Sequence, residues 1–311
     1  MSDVPPVAIR TEELAKRYGK ITALAGLTMS IPAGDVFGFL GPNGAGKTTA
    51  VKLLLGLARP SSGEGWVLGA PLSDRTAHRR ARRGVGYLPE LFRYQHWLSA
   101  REVLRVHCEL IGLDRAAWDA EIKDALDVVG LADRADDRVG GYSKGMQQRL
   151  GLGVALLGRP ALVLLDEPTS ALDPVGRHDV REIIRVLKAR GTTVFLNSHL
   201  LTEVERVCDR VLFLDHGRLT RDETLQGAAA SRRRTAVRVS ADRLDDAVRV
   251  LAEAGVAAEP VGDGVLRLSD SSDVQVSAAV KALALADVAV LEVRASAELE
   301  ELFREKESLP S

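Results

Sequence analysis

Cysteine is scarce in this chain, with two in 311 residues, Cys108 and Cys208. Two thiols without metal-ligand spacing leave no disulfide framework and no zinc site, and they fit a reducing compartment. Both fall in helix-like segments and read as packing thiols. Long apolar runs are missing as well: no stretch of about eighteen such residues occurs, so no segment spans a bilayer unaided. Charge of one sign is missing too, with 42 Lys and Arg against 43 Asp and Glu. That balance lacks the basic footprint of non-specific nucleic-acid binding, and no nucleic-acid partner is expected. The opening Met1-Ser2-Asp3-Val4-Pro5-Pro6 has neither the charged nor the apolar region of a signal peptide, and the expectation is a cytoplasmic protein. What is present is ordinary for a globular protein, 46% hydrophobic and 27% charged residues, with length enough for two domains, each with its own core.

The most informative stretch is Gly41, Pro42, Asn43, Gly44, Ala45, Gly46, Lys47, Thr48, Thr49. It follows the apolar run Val36–Leu40, a buried-strand signal, and opens onto the helix signal Ala50–Leu55. Gly41, Gly44 and Gly46 let the backbone curl and a ligand approach closely. Curled N–H groups and the positive end of a helix converge there on anionic oxygens, Lys47 adds a point charge, and the Thr48 hydroxyl can ligate a magnesium ion. This is how a P-loop holds a nucleoside triphosphate.

Around it the chain alternates. Residues 7 to 31 read as short strand-like pieces, Pro60 to Gly65 as a turn, Trp66 to Leu68 and Val85 to Leu88 as strands. Arg79, Arg80, Arg82 and Arg83 read as a solvated helix face. From Ser99, in capping-box spacing with Glu102, the pattern turns helical: Val103, Leu104, His107, Leu110 and Ile111 recur at helical intervals, then Trp118, Ile122, Leu126 and Val129. This helical block reads as a subdomain inserted into a strand-and-helix core. The alternation resumes with a helix from Lys144 to Leu157, a strand Leu162 to Leu165, a helix around Val180 to Leu187 and a strand Thr193 to Leu196. Thr202 and Glu205 offer a second capping box, ahead of a helix carrying Cys208, and Val211 to Leu219 reads as a closing hairpin. Gly227 to Arg234 reads as a linker. Beyond it the expected order is β-α-β-β-α-β, with strands at Ala236–Ser240, Val256–Val261, Val265–Leu268 and Val288–Val293 and a turn at Asp263-Gly264. That order is the ferredoxin-like split motif, and a charged helix, Glu298 to Glu307, is expected to end the chain.

Two further constellations carry chemistry. Leu162–Leu165 lead into Asp166 and Glu167, a carboxylate pair at the C-terminal end of a buried strand. There Asp166 can hold a magnesium hydration shell and Glu167 can orient or deprotonate an attacking water. Tyr142-Ser143-Lys144-Gly145-Met146-Gln147 precedes a helix that Ser143 would cap, a place where N–H groups and a hydroxyl can meet an anion.

In this order the motifs resemble the ATP-binding cassette family over about residues 7 to 226. Gly41 to Thr49 are similar to its Walker A loop, Ser143 to Gln147 to its signature, and Leu162 to Glu167 to Walker B with the catalytic glutamate. Ser170-Ala171-Leu172-Asp173 resembles the D-loop, His199 the switch histidine, and Tyr18 the aromatic residue that stacks on adenine. Two departures stand out: Glu90 where the family usually has glutamine, and a signature that begins Tyr142 and carries Lys144.

The resemblance implies an α/β P-loop NTPase core, residues 1–226, with an N-terminal antiparallel β-subdomain and an inserted α-helical subdomain over about 92–158. A linker at 227–235 and a small α+β ferredoxin-like domain at 236–311 complete the expected fold. It implies ATP and Mg²⁺ as cofactors: Tyr18, Gly41–Thr49, Glu90, Ser143, Gly145, Gln147 and Asp173 around the nucleotide, and Thr48, Asp166 and Glu90 around the metal. Glu167 and His199 take the catalytic roles. It also implies two copies, Ser143 of each completing the other's site.

Three functions compete. The first is the ATPase subunit of a transporter, on the inner face of the membrane, docking a separate permease through the helical block and Glu90 to Leu98. The second is a soluble cassette of translation or DNA repair, whose second cassette or long coiled coil is not in evidence here. The third is an ATP-binding adaptor, against which Glu167 and His199 argue. The extension, with Glu298-Leu299-Glu300-Glu301-Leu302-Phe303, resembles the multidrug and antibiotic-resistance exporter branch, of the daunorubicin-resistance type, that pairs with ABC-2-type permeases.

Overall fold

The computed structural model describes residues 7–170, 172–225, 233–262, 264–269 and 272–297. Met1–Pro6, Ala171 of the D-loop match, linker residues 226–232, Asp263 of the expected turn and the expected helix Glu298–Glu307 lie outside the described residues. The chain divides into two compact units, Met1–Leu225 and Gln226–Ser311.

The first unit opens with β1 (Val7–Tyr18) and β2 (Ile21–Pro32). These are two long antiparallel strands rather than short pieces, because bulges near Thr11 and Leu14 let the ladder bend without ending it. β3 (Val36–Leu40) is buried at every position and runs into α1 (Lys47–Leu54). β4 (Ser62–Val67) starts inside the stretch expected to be a turn. Its exposed first half still hydrogen-bonds β1, from Ser62 opposite Ala15 to Val67 opposite Ile9, so cross-strand pairing overrides the turn-like composition. β5 (Ala70–Pro71) follows, then α2 (Arg75–Ala81), in which Asp74 caps the helix. Arg79, Arg80 and Arg83 are exposed. Arg82 is not solvated as expected, since its guanidinium donates to the Leu55 carbonyl at 3.0 Å.

β6 (Val85–Leu88) precedes the helical block α3 (Ala100–Leu110), α4 (Trp118–Val128) and α5 (Lys144–Leu156). The capping box of Ser99 and Glu102 is present. Val103, Leu104 and Cys108 are buried, whereas Leu110 is 74% exposed. β7 (Leu162–Asp166), α6 (Pro174–Ala189) and β8 (Thr193–Asn197) follow. α7 (Leu201–Val207) begins without the capping box expected at Thr202. The helix starts two residues early, with Leu200 as its N-cap, and the Ser198 hydroxyl accepts from the Leu200 N–H just ahead of it. Cys208 is the residue after this helix, not part of it. β9 (Arg210–Asp215) and β10 (Arg218–Thr224) form the closing hairpin.

Two sheets result. One is antiparallel, in the order β2-β1-β4-β5, and the other is six-stranded, in the order β10-β9-β3-β8-β7-β6. In the second, β9, β3, β8, β7 and β6 are mutually parallel. Their C-terminal ends therefore lie along one edge. A shared core joins the two sheets around α1, through Ile9, Leu27 and Ile31 of one and Phe37, Phe39 and Phe195 of the other.

The second unit contains β11 (Arg233–Val239), α8 (Leu244–Glu253), β12 (Ala258–Gly262), β13 (Val265–Leu268), α9 (Asp273–Leu285) and β14 (Val290–Ala297). β11 starts inside the expected linker. The four strands are antiparallel in the order β12-β13-β11-β14. Val237, Leu251, Leu266, Ala279 and Leu283 fill a core of its own.

Candidate functional site

Every strand that the motif residues follow ends on the same edge of the parallel sheet. β3 delivers Gly41–Thr49, β7 delivers Asp166 and Glu167, β8 delivers Ser198 and His199, and β6 delivers Glu90. α1 begins at this edge, after Gly46 at φ +107°, so the helix turns its free N–H groups toward it, an arrangement that can receive an anion.

Glycine is required in the loop for two separate steric reasons. A Cβ on Gly41, at φ +155°, would lie 2.1 Å from the Leu214 carbonyl oxygen. One on Gly46 would lie 2.3 Å from that of Ala23. The loop is thus pressed against both β2 and β9. The hairpin turn locks the contact: Gly217 donates to the Ala45 carbonyl at 2.9 Å, and Ala25 donates to that of Gly217 at 2.9 Å.

Lys47 is buried, and its ammonium donates to the Gly41 and Pro42 carbonyls at 2.6 and 3.2 Å. Burial lowers its pKa, while nearby Glu167 and Asp166 pull it back up. Thr48 is exposed at the helix start, and Pro42, Asn43 and Gly44 form the open rim.

Asp166 and Glu167 are both buried. Burial pushes the Asp166 carboxyl above its usual range; a hydrogen bond from Asn197 opposes this and the charge of Glu90 adds to it. Burial does the same to Glu167, opposed chiefly by His199. His199 Nδ1 and Glu167 Oε2 are 2.8 Å apart. Glu167 sits at φ +52°, a left-handed backbone unusual for a glutamate. Its N–H donates to the Asn197 carbonyl at 2.8 Å, and the neighbouring strand end so holds it there.

Tyr18 is 47% exposed, with the Lys16 ammonium 4.9 Å from its ring centre. It pairs with Ile21, two residues before the Ala23 that touches Gly46, so the aromatic stands at the P-loop end of the β1–β2 hairpin. Asp173 caps α6, its Oδ1 accepting from the Gly176 N–H at 2.8 Å.

The signature segment is not part of this cluster. Ser143 caps α5 by accepting from the Met146 N–H at 3.2 Å, and Gln147 Nε2 donates to the Tyr142 carbonyl at 3.2 Å. Among the described residues no hydrogen bond or ion pair joins Ser143, Gly145 or Gln147 to Gly41–Thr49, Asp166, Glu167 or His199. Ser143 is exposed.

Two residues escaped the sequence reading. Asn197 donates through Nδ2 to Asp166 Oδ1 at 2.5 Å. Its own Oδ1, and the hydroxyl of buried Thr169, have no partner in the structure. Nothing in the sequence marks either one: Asn197 gains its place from the β7–β8 pairing, and Thr169 lies buried in the turn after β7. Among the described residues no cluster of three His, Cys, Asp or Glu side chains could hold a metal alone. The Thr48 hydroxyl, the Asp166 carboxylate and the unpaired Asn197 Oδ1 are nonetheless hard oxygen donors. They suit a divalent cation that takes part of its shell from water and from phosphate.

A glycine-curled loop at a helix start, a lysine folded into it, and a buried carboxylate pair at the same sheet edge, two strands away, define a P-loop nucleotide-binding protein. Residues 24–170 match the family described as ABC transporter. Nod factor export ATP-binding protein I of Burkholderia orbicola is 41% identical over 215 residues, 69% of each chain. An uncharacterised ABC transporter ATP-binding protein of Nostoc is 45% identical over 223 residues, 69% of this chain and 65% of that one. The match thus spans just under two thirds of the Nostoc relative's length. Among solved structures, cbiO1 of Clostridium perfringens, part of the ABC transporter complex cbiONQ, superposes with TM-score 0.65 at 25% identity, over 71% of this chain and 90% of that one. A dimeric ATP-binding cassette in a post-hydrolysis state with ADP and phosphate shares the fold, with TM-score 0.62 at 24% identity, over 71% of this chain and all of that one. The chain belongs to the ATP-binding proteins of ABC transporters and carries an ABC ATPase domain. No helix among the described residues is long and apolar enough to cross a membrane.

Proposed function

We propose that this chain is the ATP-hydrolysing subunit of an exporter, acting as a homodimer on a separate ABC-2-type permease at the inner face of the membrane. The observation that carries the hydrolytic reading is the Glu167–His199 contact at 2.8 Å on the P-loop edge of the sheet. Gly41–Thr49 cradle the phosphates and Tyr18 stacks on adenine. Thr48, Asp166 and Glu90 hold Mg²⁺, which when bound neutralises phosphate oxygens. Glu167 accepts a proton from water as the water oxygen bonds to the γ-phosphorus. The bond from that phosphorus to the bridging oxygen breaks, and ADP and phosphate leave. His199 holds Glu167 in the orientation this requires.

Ser143, Gly145 and Gln147, with Asp173, serve the site of the second copy. Their separation from the P-loop cluster within one chain supports that reading. An exposed N-cap hydroxyl at a helix start is suited to a γ-phosphate brought by another molecule. Closure then depends on one phosphoryl group, and its release lets the two copies part.

Permease docking falls on the helical subdomain and Glu90–Leu98, where Leu91, Trp97 and Leu110 are 86%, 70% and 74% exposed. Large apolar side chains left outside a core in one region mark an interaction surface. Relatives named for Nod factor export support an exporter, with a drug, antibiotic or lipid-like molecule as cargo. The second unit, with its βαββαβ order, is a ferredoxin-like accessory domain that carries no nucleotide-site residue.

Glu167→Gln is the direct test. The variant should bind ATP as the parent does, lose nearly all turnover, and accumulate as a dimer in ATP. Equal monomer fractions with and without ATP in sizing experiments would rule out the closed pair.

A further inference from the structure

Asn197 ends β8 directly across the parallel ladder from Asp166, the last residue of β7. It is 2% exposed and touches both acidic residues of the site. Its backbone carbonyl accepts from the Glu167 N–H at 2.8 Å, and its Nδ2 donates to Asp166 Oδ1 at 2.5 Å. The amide can face only one way, because the opposite orientation would set its oxygen against the carboxylate. That leaves Oδ1 buried and without a partner. Asp166 Oδ2 likewise accepts no hydrogen bond among the described residues.

Buried polar atoms are nearly always paired, so an unpaired acceptor beside an engaged carboxylate marks where a donor arrives from outside the chain. In a site of hard oxygen ligands that donor is a water of a cation's shell. Packing alone gives no reason for the amide oxygen here: the backbone carbonyl holds Glu167 and Nδ2 holds Asp166, so a side chain needed only for those contacts has no use for a second, buried acceptor.

We propose that Asn197 is a positioning residue of the cation–nucleotide site. Its N–H fixes Asp166 with one oxygen engaged and the other left for the cation, and its Oδ1 accepts from a cation-bound water. This assignment rests on the nucleotide-site reading given above. It gives Asn197 a task distinct from the glutamate's, namely to set cation affinity rather than to move a proton.

The test measures Mn²⁺ binding to the full chain with ADP by electron paramagnetic resonance, beside ADP binding without metal. Asn197→Ala should weaken Mn²⁺ binding about tenfold and leave metal-free ADP affinity within about twofold of the parent. Should the alanine variant not fold, Asn197→Ser, too short to reach Asp166, should show the same loss. Asn197→Asp sets two carboxylates face to face. Its melting temperature should fall below the parent's without cation, and Mn²⁺ with ADP should raise it by more than it raises the parent's. Unchanged Mn²⁺ affinity in the alanine variant would overturn the assignment, as would an equal loss of metal-free ADP binding. A parent that binds no Mn²⁺ with ADP would bring down the nucleotide-site reading itself.

Discussion

Glu167 combines three unfavourable features in one residue: burial, a left-handed backbone, and a second carboxylate next to it in the chain. Such a backbone costs on the order of 1–3 kcal/mol and persists only where neighbours over-determine it; here the Asn197 carbonyl and the His199 ring do so. The raised pKa of Glu167 has a definite sign in stability. A carboxyl whose pKa is higher folded than unfolded favours folding at low pH, and that contribution is lost as pH rises through the folded value. Glu167→Gln removes it, so the variant's melting temperature relative to the parent should climb as pH rises above the ordinary carboxylate range. Thermal melts without nucleotide read this directly, and a variant whose melting temperature falls relative to the parent's as pH rises would contradict the burial. Lys47 offers a second residue-scale test. Hydrogen bonds to charged groups contribute about 1.5–3 kcal/mol each, so Lys47→Ala should weaken ATP binding on the order of ten- to a hundredfold in a titration. Retained affinity would remove Lys47 from the site.

Between elements, the joint of α6 and α7 bears directly on the chemistry. α6 begins at Asp173 and α7 just after His199, and Arg181 of the first meets Glu203 of the second at 2.5 Å. The two side chains are 11% and 7% exposed. A pair this buried gains little over apolar packing, yet removing one partner strands the other at a cost of about 3–5 kcal/mol. Arg181→Met alone should therefore lower the denaturation midpoint sharply, and Arg181→Met with Glu203→Leu should recover much of the loss. Equal midpoints for the single and double variants would show that the charges are not coupled. The same joint explains an expectation that failed. Thr202 has capping-box spacing with Glu205, but Ser198 lies closer to the turn and takes the Leu200 N–H, so α7 starts earlier. Strand β4 failed in the opposite direction: its glycines and serine read as a turn, and pairing with β1 made them strand.

At the scale of the whole chain, the two units each enclose a core of their own. Nucleotide can stabilise only the unit that binds it. Calorimetry of the full chain should resolve two unfolding transitions, and ATP with Mg²⁺ should raise one of them, by about 2.7 kcal/mol at a hundred times the dissociation constant. One cooperative transition shifted as a whole would show that the units unfold together.

The P-loop, the carboxylates after a buried strand and the cap at Ser143 were all readable in the primary sequence. Each is a local pattern in which a few neighbouring residues dictate backbone shape and charge. Glu167 and His199, 32 positions apart, could be named through family likeness but not brought together. Asn197 and the clamp of Gly217 on Ala45 gave no local sign at all. Their roles come from strand order and register, which set Asn197 beside Asp166 and the hairpin turn against the loop. Chain-neighbour chemistry is written in the order of residues. Contacts across a sheet exist only once burial of Phe37, Phe39 and Phe195 has drawn distant strands into one layer.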